Sequence, residues 1–193
     1  ADNGLPTGAS PWTVAVWLKT SVALSNGTVQ VVATWGAGGG NGKALTFCQS
    51  NFSGSGAQYK ANAFSLSPQG SFQTGNAAIN DGNWHRVAAV YDGTRVSFYV
   101  DGVLDRSDSS GNTALNVLLG ATLYFGFDGG SPKWNGSIGD MVVWARALSA
   151  PEIASAYSDP WQQLRGTGAL TAGPVRGNGT PGAATMPLAA SPS

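Results

Sequence analysis

The chain is poor in ionisable groups. Its 193 residues hold one histidine, one cysteine and one glutamate, and only 10% of them are charged, against the roughly 25% usual in soluble domains. Each scarcity excludes a chemistry. A zinc site draws its ligands mainly from Cys and His, and here there is one of each, Cys48 and His85. A Ser-His-Asp hydrolase would have to use His85, and no Gly-x-Ser-x-Gly elbow accompanies it; the Gly-Ser-Gly at 54–56 sits in a Ser/Gly-rich loop. Glycoside hydrolysis needs two carboxylates, about 5 Å apart for retention and further apart for inversion. The one glutamate, Glu152, falls on an expected helix, and no strand carries inward carboxylates at i, i+2 or i+4. The reading is therefore not an enzyme, with no cofactor. A lone Cys48 within an apolar run cannot form an intramolecular disulfide and reads as a buried small hydrophobe.

Ten basic residues balance ten acidic ones. No basic patch appears, so nucleic acid is not an expected partner. No signal-peptide core and no apolar run of membrane-spanning length is visible, so membrane insertion is not expected either. A surface with little charge repels its own copies weakly and associates readily.

What the chain does have is glycine (28 residues) and aromatic residues (10%), which suits an all-β protein with tight turns. Residues 12–19 read as a strand buried largely on both faces. Asn26-Gly27 then turns into a second strand over 28–35, and residues 36–42 form a glycine loop. Further strands are expected over 43–49, 58–66, 121–127 and 136–147. Between them, residues 84–106 hold two apolar-alternating runs, each closed by an Asp-Gly pair, Asp92-Gly93 and Asp101-Gly102. Such pairs supply the two positive-φ positions of a type I′ hairpin turn, so the segment reads as a meander of two long strands and a short third. This spacing predicts an antiparallel β-sandwich or jelly roll. One short helix follows at Ser149–Tyr157, with Ser149 as N-cap, Glu152 three residues on and Pro151 in the first turn, a capping box.

Two strings carry a family resemblance. Trp84-His85-Arg86-Val87-Ala88-Ala89-Val90-Tyr91-Asp92-Gly93 with Tyr99-Val100-Asp101-Gly102 resembles the signature of laminin-G-like, concanavalin-A-like jelly rolls. Gly139–Tyr157 is similar to their closing strand and helix, in which Arg146 is expected to clamp Glu152 or Asp140. The resemblance implies the fold, not the chemistry, because the same fold carries lectins, glycosidases and structural modules. Members usually begin with an extra strand, whereas residues 1–11 here are Gly/Pro-rich and short. Relatives often bind calcium through rim Asp residues, which makes Asp128 and Asp140 candidates, although a turn role is the stronger reading without an Asp-x-Asp cluster.

Ser158-Asp159-Pro160-Trp161-Gln162-Gln163-Leu164 resembles an ending found after such domains in tailed-phage proteins. Residues 1–164 are read as the sandwich and 165–193 as a Gly/Pro/Ala-rich C-terminal arm, which has too little apolar surface to offset its ordering entropy unless it lies on something else. The leading expectation is thus a non-catalytic virion protein at the phage surface, a capsid decoration or head-fibre subunit. Its expected partners are the major capsid protein, fibre subunits or its own copies. Pro160, Trp161, Leu170, Val175, Met186 and Leu188 are the assembly-contact candidates. The alternative is an extracellular or virion-borne glycan-binding, lectin-like module. It would use an aromatic platform, with Trp35 and Trp134 as candidates, while Trp12, Trp17, Trp84 and Trp144 are assigned to strands as core residues.

Overall fold

A computed structural model describes residues 5–35, 45–51, 61–68, 73–108, 123–126 and 133–162. Ten strands occur among them: β1 (Trp12–Lys19), β2 (Thr28–Trp35), β3 (Leu45–Asn51), β4 (Ala61–Pro68), β5 (Gln73–Ala78), β6 (Trp84–Tyr91), β7 (Val96–Val100), β8 (Val103–Asp108), β9 (Leu123–Phe125) and β10 (Ser137–Trp144). One helix, α1 (Ala150–Ser158), follows. The strands pair antiparallel in two five-stranded sheets, ordered β10-β1-β6-β7-β8 and β5-β4-β3-β2-β9. This is the antiparallel sandwich that strand spacing predicts.

Alternation fixes which side chains enter the core. On β1 the inward set is Trp12, Val14, Val16 and Leu18; opposite them on β6 stand Tyr91, Ala89 and Val87. The second sheet contributes Val32, Trp35, Leu45, Phe47, Phe64 and Leu66. Phe47 joins the layers, stacked on Trp35 at 5.1 Å and on Phe64 at 5.9 Å, and edge-on to Trp12 at 5.8 Å. Burying each such side chain contributes about 1.5–3 kcal/mol.

β1 is buried on its second face as well. Ala15, Ala88, Val90 and Tyr99 lie on the outer face of the first sheet, where Leu148 and Ile153 cover them. α1 is held in place at its start: the Ser149 N–H and hydroxyl both donate to Glu152 Oε2 at 2.8 Å, and Arg146 pairs with Glu152 Oε1 at 2.7 Å. Of the two clamps expected for Arg146, the one to Glu152 forms. Cys48 is fully buried on β3.

Two expectations change, and the chain's start follows its departure from the family pattern. The Asp101-Gly102 turn has both φ angles positive (52° and 80°), as a type I′ turn requires, but at Asp92-Gly93 only Gly93 does (104°). There four residues separate β6 from β7, and Asp92 Oδ1 instead accepts from the Thr94 N–H, the Thr94 hydroxyl and the Arg95 N–H. β5 is an addition, formed by Gln-Thr-Gly-Asn-Ala-Ala, a string with no apolar alternation. Residues 5–11 contain no strand, yet Leu5 packs on the core and the Pro6 carbonyl accepts the Trp35 indole N–H at 3.2 Å. The 36–42 loop and Asp128 lie outside the described residues, as do Leu170, Val175, Met186, Leu188 and the rest of the 165–193 arm. Chain contacts separate Ala1–Pro160 from Trp161–Ser193.

Candidate functional site

At one end of the first sheet, the exit of β1, the entry of β6 and the entry of β10 meet around an open cleft of about 410 Å³. Ligand pockets span roughly 300–1,000 Å³. Residues 19–22, Gly82 and residues 135–137 line it. Its walls are tied by backbone-directed hydrogen bonds. The Thr20 hydroxyl donates to the Asn135 carbonyl at 2.7 Å and accepts from the Val22 N–H at 3.1 Å. The Thr20 carbonyl accepts from the Gly82 N–H at 2.9 Å, and Gln30 Oε1 holds the Asn135 N–H at 2.7 Å. Gly136 must lack a side chain: a Cβ there would stand 2.2 Å from the Lys19 carbonyl oxygen. The cleft thus has a fixed backbone and a mixed lining, more apolar than polar, that includes Lys19, Ser21, Asn135 and Ser137.

An indole stands beside it. Trp84, the first residue of β6, is the antiparallel partner of Lys19, which in turn faces Ser137 on β10. Trp84 is 46% exposed. Its ring lies over Gly139, where a Cβ would be in ordinary contact with it at 3.6 Å but would crowd Trp17 Cβ at 2.8 Å. Trp134 flanks the other side, half-buried, its indole N–H donating to the Ser137 carbonyl at 3.3 Å.

Behind the cleft the charged residues are already engaged. His85 lies between two carboxylates, with Nδ1 2.8 Å from Asp101 Oδ2 and Nε2 3.0 Å from Asp81 Oδ1. Burial pulls the imidazole down, but the hydrogen bonds and charges of Asp101 and Asp81 outweigh it and hold its pKa above the usual value. Asp81 is held at about 2 by the Asn83 N–H, the Asn83 side chain and His85. Arg86 is buried, its guanidinium 5.8 Å from the Trp17 ring centroid and paired with Asp140 at 3.3 Å.

The sequence profile of the concanavalin A-like lectin/glucanases superfamily, in its laminin G-like form, matches residues 1–154. The chain belongs to this superfamily. Solved structures agree on the fold of this concanavalin A-like domain. Domain 4 of AbnA, an extracellular arabinanase from Geobacillus stearothermophilus in complex with arabinotriose, superposes with a TM-score of 0.56 at 18% identity, over 79% of this chain and 68% of that one. A SAP-like pentraxin from Limulus polyphemus gives 0.55 at 15%, over 78% and 71%. The CBM40 domain of a Ruminococcus gnavus IT-sialidase bound to α2,6-sialyllactose gives 0.54 at 14%, over 77% and 83%. A search of curated protein sequences finds no match.

The residues singled out from the sequence fall in different places on this concanavalin A-like domain. Trp35 is 2% exposed and stacked on Phe47, so it has no free face to offer a sugar. Trp134 does border the cleft. Trp84, assigned to the core, is the exposed indole instead. Its phase carried the signal: Val87, Ala89 and Tyr91 face inward, which places Trp84 and Arg86 on the outer face. Asp140 faces the Arg86 guanidinium, and among the described residues no three His, Cys, Asp or Glu side chains gather as a metal site. Pro160 is half-buried, and Trp161 is 58% exposed.

Proposed function

We propose that this domain is a carbohydrate-binding module without catalytic activity, and that its ligand occupies the cleft between residues 19–22, Gly82 and residues 135–137. The observation that carries this reading is Trp84. Trp84 is a large indole left 46% exposed on the strand position paired with Lys19, a residue that lines the cleft, so an aromatic face and the cleft are neighbours in the sheet. A pyranose or furanose ring has an apolar face of C–H groups and a rim of hydroxyls. The indole face suits the first, and the Ser21, Asn135 and Ser137 groups suit the second. The arabinotriose and sialyllactose complexes of the fold neighbours support the reading as likenesses.

Binding is to be tested by calorimetry against a panel of neutral and acidic oligosaccharides. In Trp84→Ala, affinity for any hit is expected to fall tenfold or more, with the melting temperature within a few degrees of the parent, because the lost ring is half exposed already. Unchanged affinity in this variant would move the site elsewhere.

The virion reading rests on the Pro160-Trp161-Gln162 string and on the 165–193 segment. Its specific support in the described residues is Trp161, an exposed aromatic of the kind that anchors protein interfaces. A sugar-binding domain carried on a particle would satisfy both readings.

A further inference from the structure

Among the described lining residues Lys19 carries the one formal charge; the others are Thr20, Ser21, Val22, Gly82, Asn135, Gly136 and Ser137. Its ammonium has no hydrogen-bond or ion-pair partner among the described residues. The carboxylates that meet His85 and Arg86 are taken. Asp81 accepts from the Asn83 N–H at 2.8 Å, the Asn83 side-chain amide at 2.9 Å and His85 at 3.0 Å. Asp101 is held by His85 and by the Arg86 N–H at 2.9 Å. Asp140 pairs with Arg86. Each of these carboxylates therefore has a donor, while this cation, set between Trp84 and Ser137 in the register of the sheet, has no anion among the described residues.

Resting on the carbohydrate reading above, we propose that the ligand is an acidic glycan whose sugar carboxylate is met by the Lys19 ammonium while its ring lies against Trp84. The neighbouring groups fit this division. The Ser137 hydroxyl and the Asn135 amide donate and accept toward hydroxyls, but the ammonium donates only, so the group it favours is an anion. A uronic acid and a sialic acid present the same carboxylate chemistry, and the test separates the two sources.

The experiment compares four probes on the full chain at low ionic strength: trigalacturonate, its methyl ester, sialyllactose and lactose. One acidic probe is expected to bind about three- to tenfold more tightly than its uncharged counterpart, the range of an exposed charge-assisted contact. That preference is expected to shrink at high salt. It is expected to vanish in Lys19→Met, which keeps the aliphatic stem and removes the charge. Which acidic probe wins identifies the source of the carboxylate. Equal binding of charged and uncharged partners, or a preference that survives Lys19→Met, overturns the proposal and leaves the carbohydrate reading standing. If no acidic probe binds, the proposal is likewise overturned. The broader reading falls with it only if the neutral oligosaccharides of the panel also fail.

Discussion

His85 shows how much one side chain can organise. A neutral imidazole has a single N–H, whereas both ring nitrogens here face carboxylates, so only the protonated ring donates to both. It links the loop before β6 to the β7–β8 turn, where Asp101 also holds the Arg86 N–H. The pH dependence follows. The folded pKa of His85 lies above the unfolded value of 6.5, so its contribution is complete below 6.5 and is lost as pH rises through the folded value. For Asp81, lowered from 3.8 to about 2, the contribution is complete above 3.8 and is lost as pH falls toward 2. Melting temperatures measured across pH are expected to be highest between these limits. In His85→Gln the decline above pH 6.5 should be absent; a decline of equal size in that variant would place its origin elsewhere. The sequence shows His85 as a structural residue of the family signature. It does not show the clamp, because Asp81 and Asp101 reach the ring from separate loops. Trp84 is a similar case. Its alternation with Val87, Ala89 and Tyr91 was readable, but its place beside Lys19 depends on the pairing of β6 with β1, a strand far away in the chain.

Among the elements, those with strong local patterns were legible, and β5 was not. β1, β2, β6 and β7 announce themselves through apolar residues at alternate positions, and α1 through its capping box. β5 is an edge strand specified from outside. Asp105 of β8, in the other sheet, accepts the Asn76 N–H, and its second oxygen accepts the Ala77 N–H at 3.0 Å. Arg106 reaches the Thr74 carbonyl at 3.2 Å. This carboxylate protects backbone donors that an edge strand otherwise leaves open to pairing. Gly75 makes the approach feasible, since a Cβ there would stand 2.3 Å from Asp105 Oδ2. Asp105→Ala is expected to lower unfolding free energy by about 1.5–3 kcal/mol, the range for hydrogen bonds to a charged group. Gly75→Ala should destabilise the parent by expelling the carboxylate, and should do so less once Asp105 is already Ala. A double-mutant cycle by urea unfolding measures that coupling, and simple additivity would contradict the staple.

For the molecule as a whole, fold and site differ in where their information lies. The sandwich follows from a pattern repeated along the chain, so many residues vote for it and no single one decides it. The cleft is built where residues 19–22, Gly82 and residues 135–137 converge, and that convergence exists only after both sheets form. The sequence therefore offers Trp134, which lies against Gly136 of the proposed site, assigns the exposed Trp84 to the core and puts Trp35 on a surface it does not reach. The same distinction separates the two functional readings experimentally. The core residues and α1 all lie within Ala1–Pro160, and the superfamily profile ends at residue 154. A chain truncated after residue 165 is thus expected to keep the parent's melting temperature and its sugar affinity. If the 165–193 segment is an assembly arm, the same truncation abolishes incorporation into particles while sugar binding persists. Loss of sugar affinity on truncation, with the melting temperature unchanged, would instead make that segment part of the binding site and displace the cleft as its sole location.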